Sequence, residues 1–440
     1  MLTVCQSYCI VVTRRTVAIK KSSGKDMSKH RKHLSLVCVI GAGLVGLAIV
    51  SGAASAQSSG SIKIGVLVPL TGPLATPGKD MDDGLKLLWE QSNFQAGGRK
   101  VELVTADTTC NPDQALTQAR RLVHQEKVHF ILGPLCGHEG PAVAQVSKET
   151  GIPVVMDPAG ADSVTQWDRT PTVIRTATSS SQMGHPFGDY LYKELGARNV
   201  TFIAQDYTFG HEVALGAVQT FKEAGGKVAK IIWNPIGTKD YGPTVASIDP
   251  ASDAVVAVVV GADRVRLFEA WFNFGMDKKF KVYGGYWMHQ DVLPQLDERA
   301  IGMIGNSLHY AAGLDTPENN AFTAAFAKKY KRLPSWFAES AYTAGLWTKT
   351  AIDKIGGKVE DREAFLKAMR SVEIKAPRGP LKLDAYDNPI QNVYVSRIQK
   401  IKHPVLGEVM TNVPVKTYTA VSQFWTWSPE DYLKRGPYKR

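Results

Sequence analysis

From Ile62 onward, short apolar runs alternate with stretches of helical length, and that rhythm restricts the fold more than any other feature of the 440-residue chain. Residues 62–70 (IKIGVLVPL) read as a buried strand, 81–96 as a helix, 101–106 as a strand, 112–125 as a helix and 128–132 as a strand. The cycle repeats, with further strands expected at 152–157, 200–203, 228–232, 254–260 and 281–283. Strands separated by helix-length patterns imply βαβ units, so the expected class is α/β, with parallel sheets covered on both faces. Two such runs, 61 to about 178 and about 182 to 305, flank the polar stretch TATSSSQ at 176–182 and suggest two similar Rossmann-like lobes. Residues 317–370 read as mostly helical, and the tail after Pro377 as short β-prone runs.

Upstream, VIGAGLVGLAIVSGAASA at 39–56 places Gly41, Gly43 and Gly46 in the order of a dinucleotide-binding turn. That motif needs a preceding strand, a helix opening on the third glycine, and an acid about 20 residues on for the ribose. No Asp or Glu lies between Asp26 and Asp80. Instead, Lys29, Arg31 and Lys32 with His30 and His33 precede the apolar residues 34–50, and Ala54-x-Ala56 closes them. This is the pattern of a secretory signal peptide cut after Ala56; a retained membrane anchor is the alternative. Residues 1–56 are read as a leader, with Met27 as a candidate start because the 26 residues before it fit no targeting pattern.

Without the leader, 384 residues remain, too many for one typical core and suited to two domains. They carry 44 Lys and Arg against 40 Asp and Glu, so most of the basic excess belongs to the leader. A mildly basic body without a Lys/Arg block gives no case for nucleic acid. Cys5, Cys9 and Cys38 fall in the leader, and Cys38 sits inside the apolar run rather than at a lipidation site. A soluble, periplasmic product is expected. Its remaining pair, Cys110 and Cys136, is more often a disulfide in an oxidising compartment than a free thiol or ligand set.

Enzyme motifs fail on spacing. GPLATPGK at 72–79 has five residues between its glycines where a phosphate loop has four, and Asp80 stands where Ser or Thr must hold magnesium. His211-Glu212 opens a zinc-protease motif, yet Leu215 takes the second histidine position. There is no G-x-S-x-G elbow. Neither a catalytic residue nor a cofactor nor a metal is expected.

Six segments together resemble one family: IKIGVLVPLTGPLATPGKDMDDGLKL, DTTCNPDQALTQARRLV, FILGPLCG, IPVVMDPAGAD, DYTFGHEVALGAV and YKRLPSWFAESAYTAGLWTKTAI. Spread over most of the chain in family order, they are similar to the leucine/isoleucine/valine-binding family, the type I periplasmic binding proteins of ABC importers. The resemblance implies two lobes joined by three hinge crossings, placed near Ser179, Tyr310 and Asn388. The lobes would be 61–179 plus 310–388 and 180–309 plus 389–440, closing over a ligand. It also implies a Cys110–Cys136 disulfide, an inner-membrane ABC permease as partner, and a monomer. A sensory ligand-binding module is the rival, and would need a separate partner.

Ligands of open α/β sheets bind beyond the carboxyl ends of strands, where helix N-termini present free N–H groups. Two expected turns qualify: Gly137-His138-Glu139-Gly140-Pro141 and Pro158-Ala159-Gly160-Ala161. Family members that hold α-amino acids supply Ser and Thr hydroxyls there and a second-lobe acid for the ammonium. Gly137 and Ala161 stand near the hydroxyl positions here, and Tyr286 falls where the acid is expected. A buried, unpaired ammonium is costly. The second-lobe candidates are Tyr207, Phe209, Tyr286 and Trp287, with Tyr342 from the SAYTAG helix, rings suited to stacking on a planar body. The expected ligand is a small carboxylate with an apolar body, an aromatic acid being favoured. Asp206, Glu139 or Asp263 could meet an ammonium, which keeps a branched-chain amino acid as the alternative, and a small amide is a third option.

Overall fold

The computed structural model describes residues 60–439; the leader reading, with its glycines, Met27 and the cut after Ala56, lies outside the described residues. The first sheet begins with β1 (Ile62–Val68), buried at every position but Lys63. There follow α1 (Ala75–Gln91), β2 (Gln95–Ala96), β3 (Arg99–Asp107), α2 (Pro112–His124), β4 (Phe130–Leu132), α3 (Gly140–Thr150), β5 (Val154–Met156) and β6 (Val173–Arg175). The order is β2-β3-β1-β4-β5-β6, parallel except for β2. Strand order reverses between β1 and β4, which opens a crevice at their carboxyl ends. The helix expected at 81–96 starts earlier, at Ala75, and ends at Gln91. Asn111 caps α2, accepting the N–H groups of Asp113 and Gln114 at 2.9 and 3.1 Å ahead of Pro112.

The second half repeats the plan with α4 (Ser180–Lys193), β7 (Asn199–Gln205), α5 (Thr208–Glu223), β8 (Lys227–Asn234), α6 (Gly242–Ala246), β9 (Ala254–Val258), α7 (Asp263–Asn273), β10 (Lys281–Tyr286) and β11 (Ile304–Leu308). The chain then returns to the first half through α8 (Pro317–Tyr330), α9 (Trp336–Lys354) and α10 (Arg362–Arg370). α9 packs on α1 so closely that a Cβ on Gly84 would meet the Ala338 carbonyl at 1.9 Å. The α4–α5 pair repeats this, Gly184 facing the Val213 carbonyl at 2.3 Å. Last come β12 (Ile374–Ala376), β13 (Gly379–Leu383), β14 (Pro389–His403), β15 (Gly407–Val421) and α11 (Pro429–Lys434). β14 pairs antiparallel with β11, β13 and β15. The second sheet is therefore mixed, not wholly parallel as the sequence rhythm suggested. Strands β14 and β15 are joined by a tight turn, which can only produce an antiparallel pair. No helix among the described residues is long and apolar enough to cross a membrane.

The stretch 176–182, polar enough to pass for a linker, is buried along its whole length. The chain passes between the sheets here, again after β11, and a third time between α10 and β14, and polar side chains join the three passages. Thr178 Oγ1 and His309 Nδ1 are 2.9 Å apart, as are His309 Nε2 and Ser340 Oγ. Gln182 Nε2 donates to the Pro389 and Val421 carbonyls at 2.9 and 2.8 Å. At the centre, Arg378 and Glu339 form an ion pair with both side chains 0% exposed. Arg378 Nε donates to Glu339 at 2.9 Å, and Nη1 to the Thr176 carbonyl and Gln391 Oε1 at 3.3 and 3.2 Å. Asp157, just past β5, lies near both and accepts from Thr176 Oγ1 at 3.2 Å. The C-terminal segment closes over the first passage. Trp167 Nε1 donates to the Leu433 carbonyl at 3.0 Å, and Tyr432 OH lies 3.1 Å from Ser181 Oγ.

Two outcomes are expected. Arg378→Met strands Glu339 as a buried, unpaired acid and should cost about 3–5 kcal/mol in urea unfolding, most of it recovered when Glu339→Leu is added; no recovery would contradict the assignment. Burial pushes the Asp157 carboxyl up to about 7 against the lowering pull of Arg378. An acid with a raised folded pKa holds its proton better folded than unfolded, so its contribution to stability is lost as pH rises from 3.8 to about 7. Asp157→Asn should therefore raise Tm more at pH 8 than at pH 5, and an equal gain at both would refute this.

Candidate functional site

Two turns at the switch between β1, β4 and β5 form one side of the site. Past β4, Leu135 and Cys136 lead into a single 3-10 turn, Gly137–Glu139, that runs on into α3. Glu139 folds back to accept the Cys136 N–H at 3.0 Å, and burial pushes its carboxyl up to about 7. Cys136 is bonded to Cys110, with Cα atoms 5.7 Å apart. His138 Nε2 donates to the Cys110 carbonyl at 3.0 Å, and its ring stands edge-on to Tyr207 at 5.6 Å. Burial lowers the His138 pKa, which keeps the ring neutral.

Past β5, the second turn is held from behind. Arg175 Nη1 and Nη2 donate to the carbonyls of Gly160 and Ala161 at 3.2 and 2.5 Å, and Ser180 N–H donates to Gly160 O at 2.8 Å. The Ala159 N–H donates to the Pro134 carbonyl at 3.1 Å, which ties one turn to the other. A Cβ added to Gly137 would stand 3.6 Å from Ala161 N, 3.9 Å from Gly160 N and 3.4 Å from Phe209 Cβ. Gly137 thus looks across at the amides of the second turn and at the first turn of α5.

Aromatic rings form the rest of the wall. Tyr207 precedes α5, Phe209 lies in its first turn, Tyr286 ends β10, and Trp336 and Phe337 open α9 behind Ser335, whose hydroxyl accepts the Ala338 N–H at 3.3 Å. Ring centroids step from Phe209 to Tyr286 at 4.7 Å, to Trp336 at 5.9 Å and to Phe337 at 4.3 Å, a path from one half of the fold to the other. With Leu74, Leu135, Cys136, Gly137, Pro158, Tyr207 and Val260 they enclose about 20 Å³, room for about one water. The halves touch beside this space: a Cβ on Gly261, at φ +61°, would meet Leu74 at 2.9 Å. Burial raises the pKa of both tyrosine hydroxyls, so they stay protonated and able to donate.

Of the residues expected from sequence, Gly137, Tyr207, Phe209 and Tyr286 line this cavity. His138 and Glu139 brace the first turn, and Ala159, Gly160 and Ala161 form the second, with Ala159 and Ala161 fully buried. Trp287 is not brought there. Successive residues along a strand point to opposite faces, so with Tyr286 toward the cavity Trp287 enters the other core, donating to the Arg264 carbonyl at 3.0 Å. Tyr342 is also elsewhere. Six residues beyond Trp336 on one helix is about 600° of rotation, a different face; its hydroxyl bonds Gln91 at 2.9 Å and its ring packs on Phe322. Pro158, which opens the second expected turn, lines the cavity too, whereas the sequence reading missed Leu74, Leu135, Val260, Trp336 and Phe337. The signal for the last two was present: paired aromatics directly behind Pro334-Ser335, a helix-start pattern. Among the described residues no group of three or more His, Cys, Asp or Glu is placed to hold a metal.

Residues 61–402 match the model of the family described as periplasmic binding protein. A Leu/Ile/Val-binding protein homolog 6 of Brucella melitensis is 28% identical over 366 residues, spanning 81% of this chain and 92% of that one. An ABC transporter substrate-binding protein from Sphaerobacter thermophilus is 30% identical with a TM-score of 0.77, over 82% of this chain and 99% of that one. A solute-binding protein of an ABC transporter from Rhodopseudomonas palustris, in complex with 3,4-dihydroxybenzoic acid, is 27% identical with a TM-score of 0.77, over 82% and 98%.

Because the disulfide ends one residue before Gly137, it anchors the cavity wall. Cys110→Ser with Cys136→Ser should cost about 3 kcal/mol in urea unfolding, and an unchanged midpoint would argue against that anchoring.

Proposed function

Because the chain belongs to the periplasmic binding protein family that its residues 61–402 match, we propose that it captures a small carboxylate with an aromatic body and delivers it to an inner-membrane ABC permease. The capturing bodies are the lobes 61–179 plus 310–388 and 180–309 plus 389–440, turning about the three passages, in a periplasm reached after the leader is cut. One observation carries the choice of ligand: the cavity wall holds five rings and neither an acid nor a cation.

An amino acid placed there would bury its ammonium with no carboxylate in the wall to meet it. A carboxylate, by contrast, suits the amides of the Gly137 and Gly160–Ala161 turns and the N-terminal end of α3. Ring faces and edges suit a planar body, and the dihydroxybenzoic acid complex of the Rhodopseudomonas protein supports the same class. About 20 Å³ is far below the roughly 150 Å³ of a cavity that takes benzene. Entry therefore requires the lobes to part and the rings to turn, which is why closure belongs to this reading. The branched-chain amino acid alternative draws on the Brucella relative's name. It needs an acid such as Glu139, Asp206 or Asp263, and Asp263 already accepts from Gln205 and Gly237 at 2.7 and 2.8 Å and pairs with Arg266 at 2.5 Å.

Thermal shifts test the choice. Benzoate and cinnamate should raise Tm by binding the folded state, while leucine should leave it unmoved; the reverse ranking rejects the aromatic acid. Gly137→Val, which puts a branched side chain between the two turns, should abolish the benzoate shift with little change in the unliganded Tm.

A further inference from the structure

Behind Trp336 lies a second, smaller space of about 10 Å³, lined by His289, Asn306, Tyr310 and Asn412 among others. Trp336 lines both spaces, so its indole is their shared wall. Three polar atoms here are buried without a hydrogen-bond partner: His289 Nε2, Asn306 Oδ1 and Tyr310 OH, on residues 1%, 1% and 2% exposed. Unpaired buried polar atoms are uncommon, and three around one space call for an explanation.

Their donor and acceptor roles are fixed by their other bonds. Trp336 Nε1 can only donate, and it lies 3.1 Å from His289 Nδ1, so Nδ1 is the acceptor and the ring proton sits on Nε2. Burial, aided by the charge of Arg264, holds the His289 pKa well below the ordinary value, which keeps the ring neutral. Asn306 Nδ2 donates to the Met288 carbonyl and to Asn412 Oδ1 at 3.2 and 2.8 Å, which identifies Oδ1 as the acceptor left over. The space therefore presents one donor, one acceptor, and a tyrosine hydroxyl that can act as either. A hydroxyl matches this set, accepting from His289 and donating to Asn306. A carboxylate would face the Asn306 oxygen, and the nearby Arg264 is already paired with Asp291; an ammonium would face the His289 N–H.

We propose that the cleft extends past Trp336 into a specificity pocket in which His289, Asn306 and Tyr310 hold an uncharged ring hydroxyl, so that the preferred ligand is a hydroxylated aromatic acid. This rests on the aromatic-acid reading above and refines it. The indole turns aside to join the two spaces when ligand enters.

Isothermal titration of the purified protein with benzoate and with 3- and 4-hydroxybenzoate tests it. The better hydroxybenzoate should bind about tenfold or more tightly than benzoate, the worth of one or two buried hydrogen bonds. Tyr310→Phe removes an unpartnered hydroxyl, and should leave Tm and the benzoate Kd in place while shrinking that gap to about threefold or less. The matching methoxybenzoate cannot donate to Asn306, and should bind wild type no better than benzoate; this comparison does not depend on any variant folding. Tight benzoate binding with the gap unchanged in Tyr310→Phe, or a methyl ether that binds as well as the hydroxyl, overturns the pocket and leaves the ligand class standing. Failure of every benzoate to bind wild type overturns the ligand class, and the pocket with it.

Discussion

The buried pair of Arg378 and Glu339 is the contact on which the rest of the structure depends. Both charges are removed from water, and such a pair is weak support for stability yet costly to break. Its value lies in position. Arg378 bonds Glu339 in α9, the Thr176 carbonyl of the first passage and Gln391 in β14, so one guanidinium fixes where three chain segments stand relative to one another. Thr178, His309, Gln182 and Asn388 extend the same bonding outward. A joint built from apolar contacts could slide; one built from directional bonds has a fixed register.

The cavity inherits its geometry from that joint. Its walls are strand ends and helix starts from both halves, so no single element contains the site. Gly137 and the Gly160–Ala161 amides come from the first sheet, Tyr207, Phe209 and Tyr286 from the second, and Trp336 and Phe337 from a helix that returns to the first after the second is built. The ring path from Phe209 to Phe337 therefore depends on all three passages being in place.

Much of the architecture was legible in the sequence because backbone periodicity is local. A fully apolar run such as 62–68 followed by a helical pattern has few other solutions, and every expected strand through 283 has a counterpart in the fold. What escaped depends on the third dimension. TATSSSQ has the composition of a solvated linker, and nothing local reveals that partners more than 100 residues away bury it. Tyr286 and Trp287 look equally suited to a cleft until the face of β10 is known. Tyr342 and Trp336 share a helix, yet counting 100° per residue separates them, a test the sequence alone permitted. The tail after Pro377 was read as β-prone, but its pairing with β11 was not foreseeable, since that partner lies about 90 residues upstream.

The interleaving of the halves has a consequence for how such a chain is born. α9, which completes the first half against α1, is made only after all of β7 to β11, and β14, which completes the second sheet, comes later still. A nascent chain emerging residue by residue can close the first core only when about four-fifths of it exists and the second only at about nine-tenths, and its long-range pairings make folding slow. Nearly the whole polypeptide must wait in an open form, a state suited to being threaded through a narrow conduit and exposed to aggregation if kept waiting.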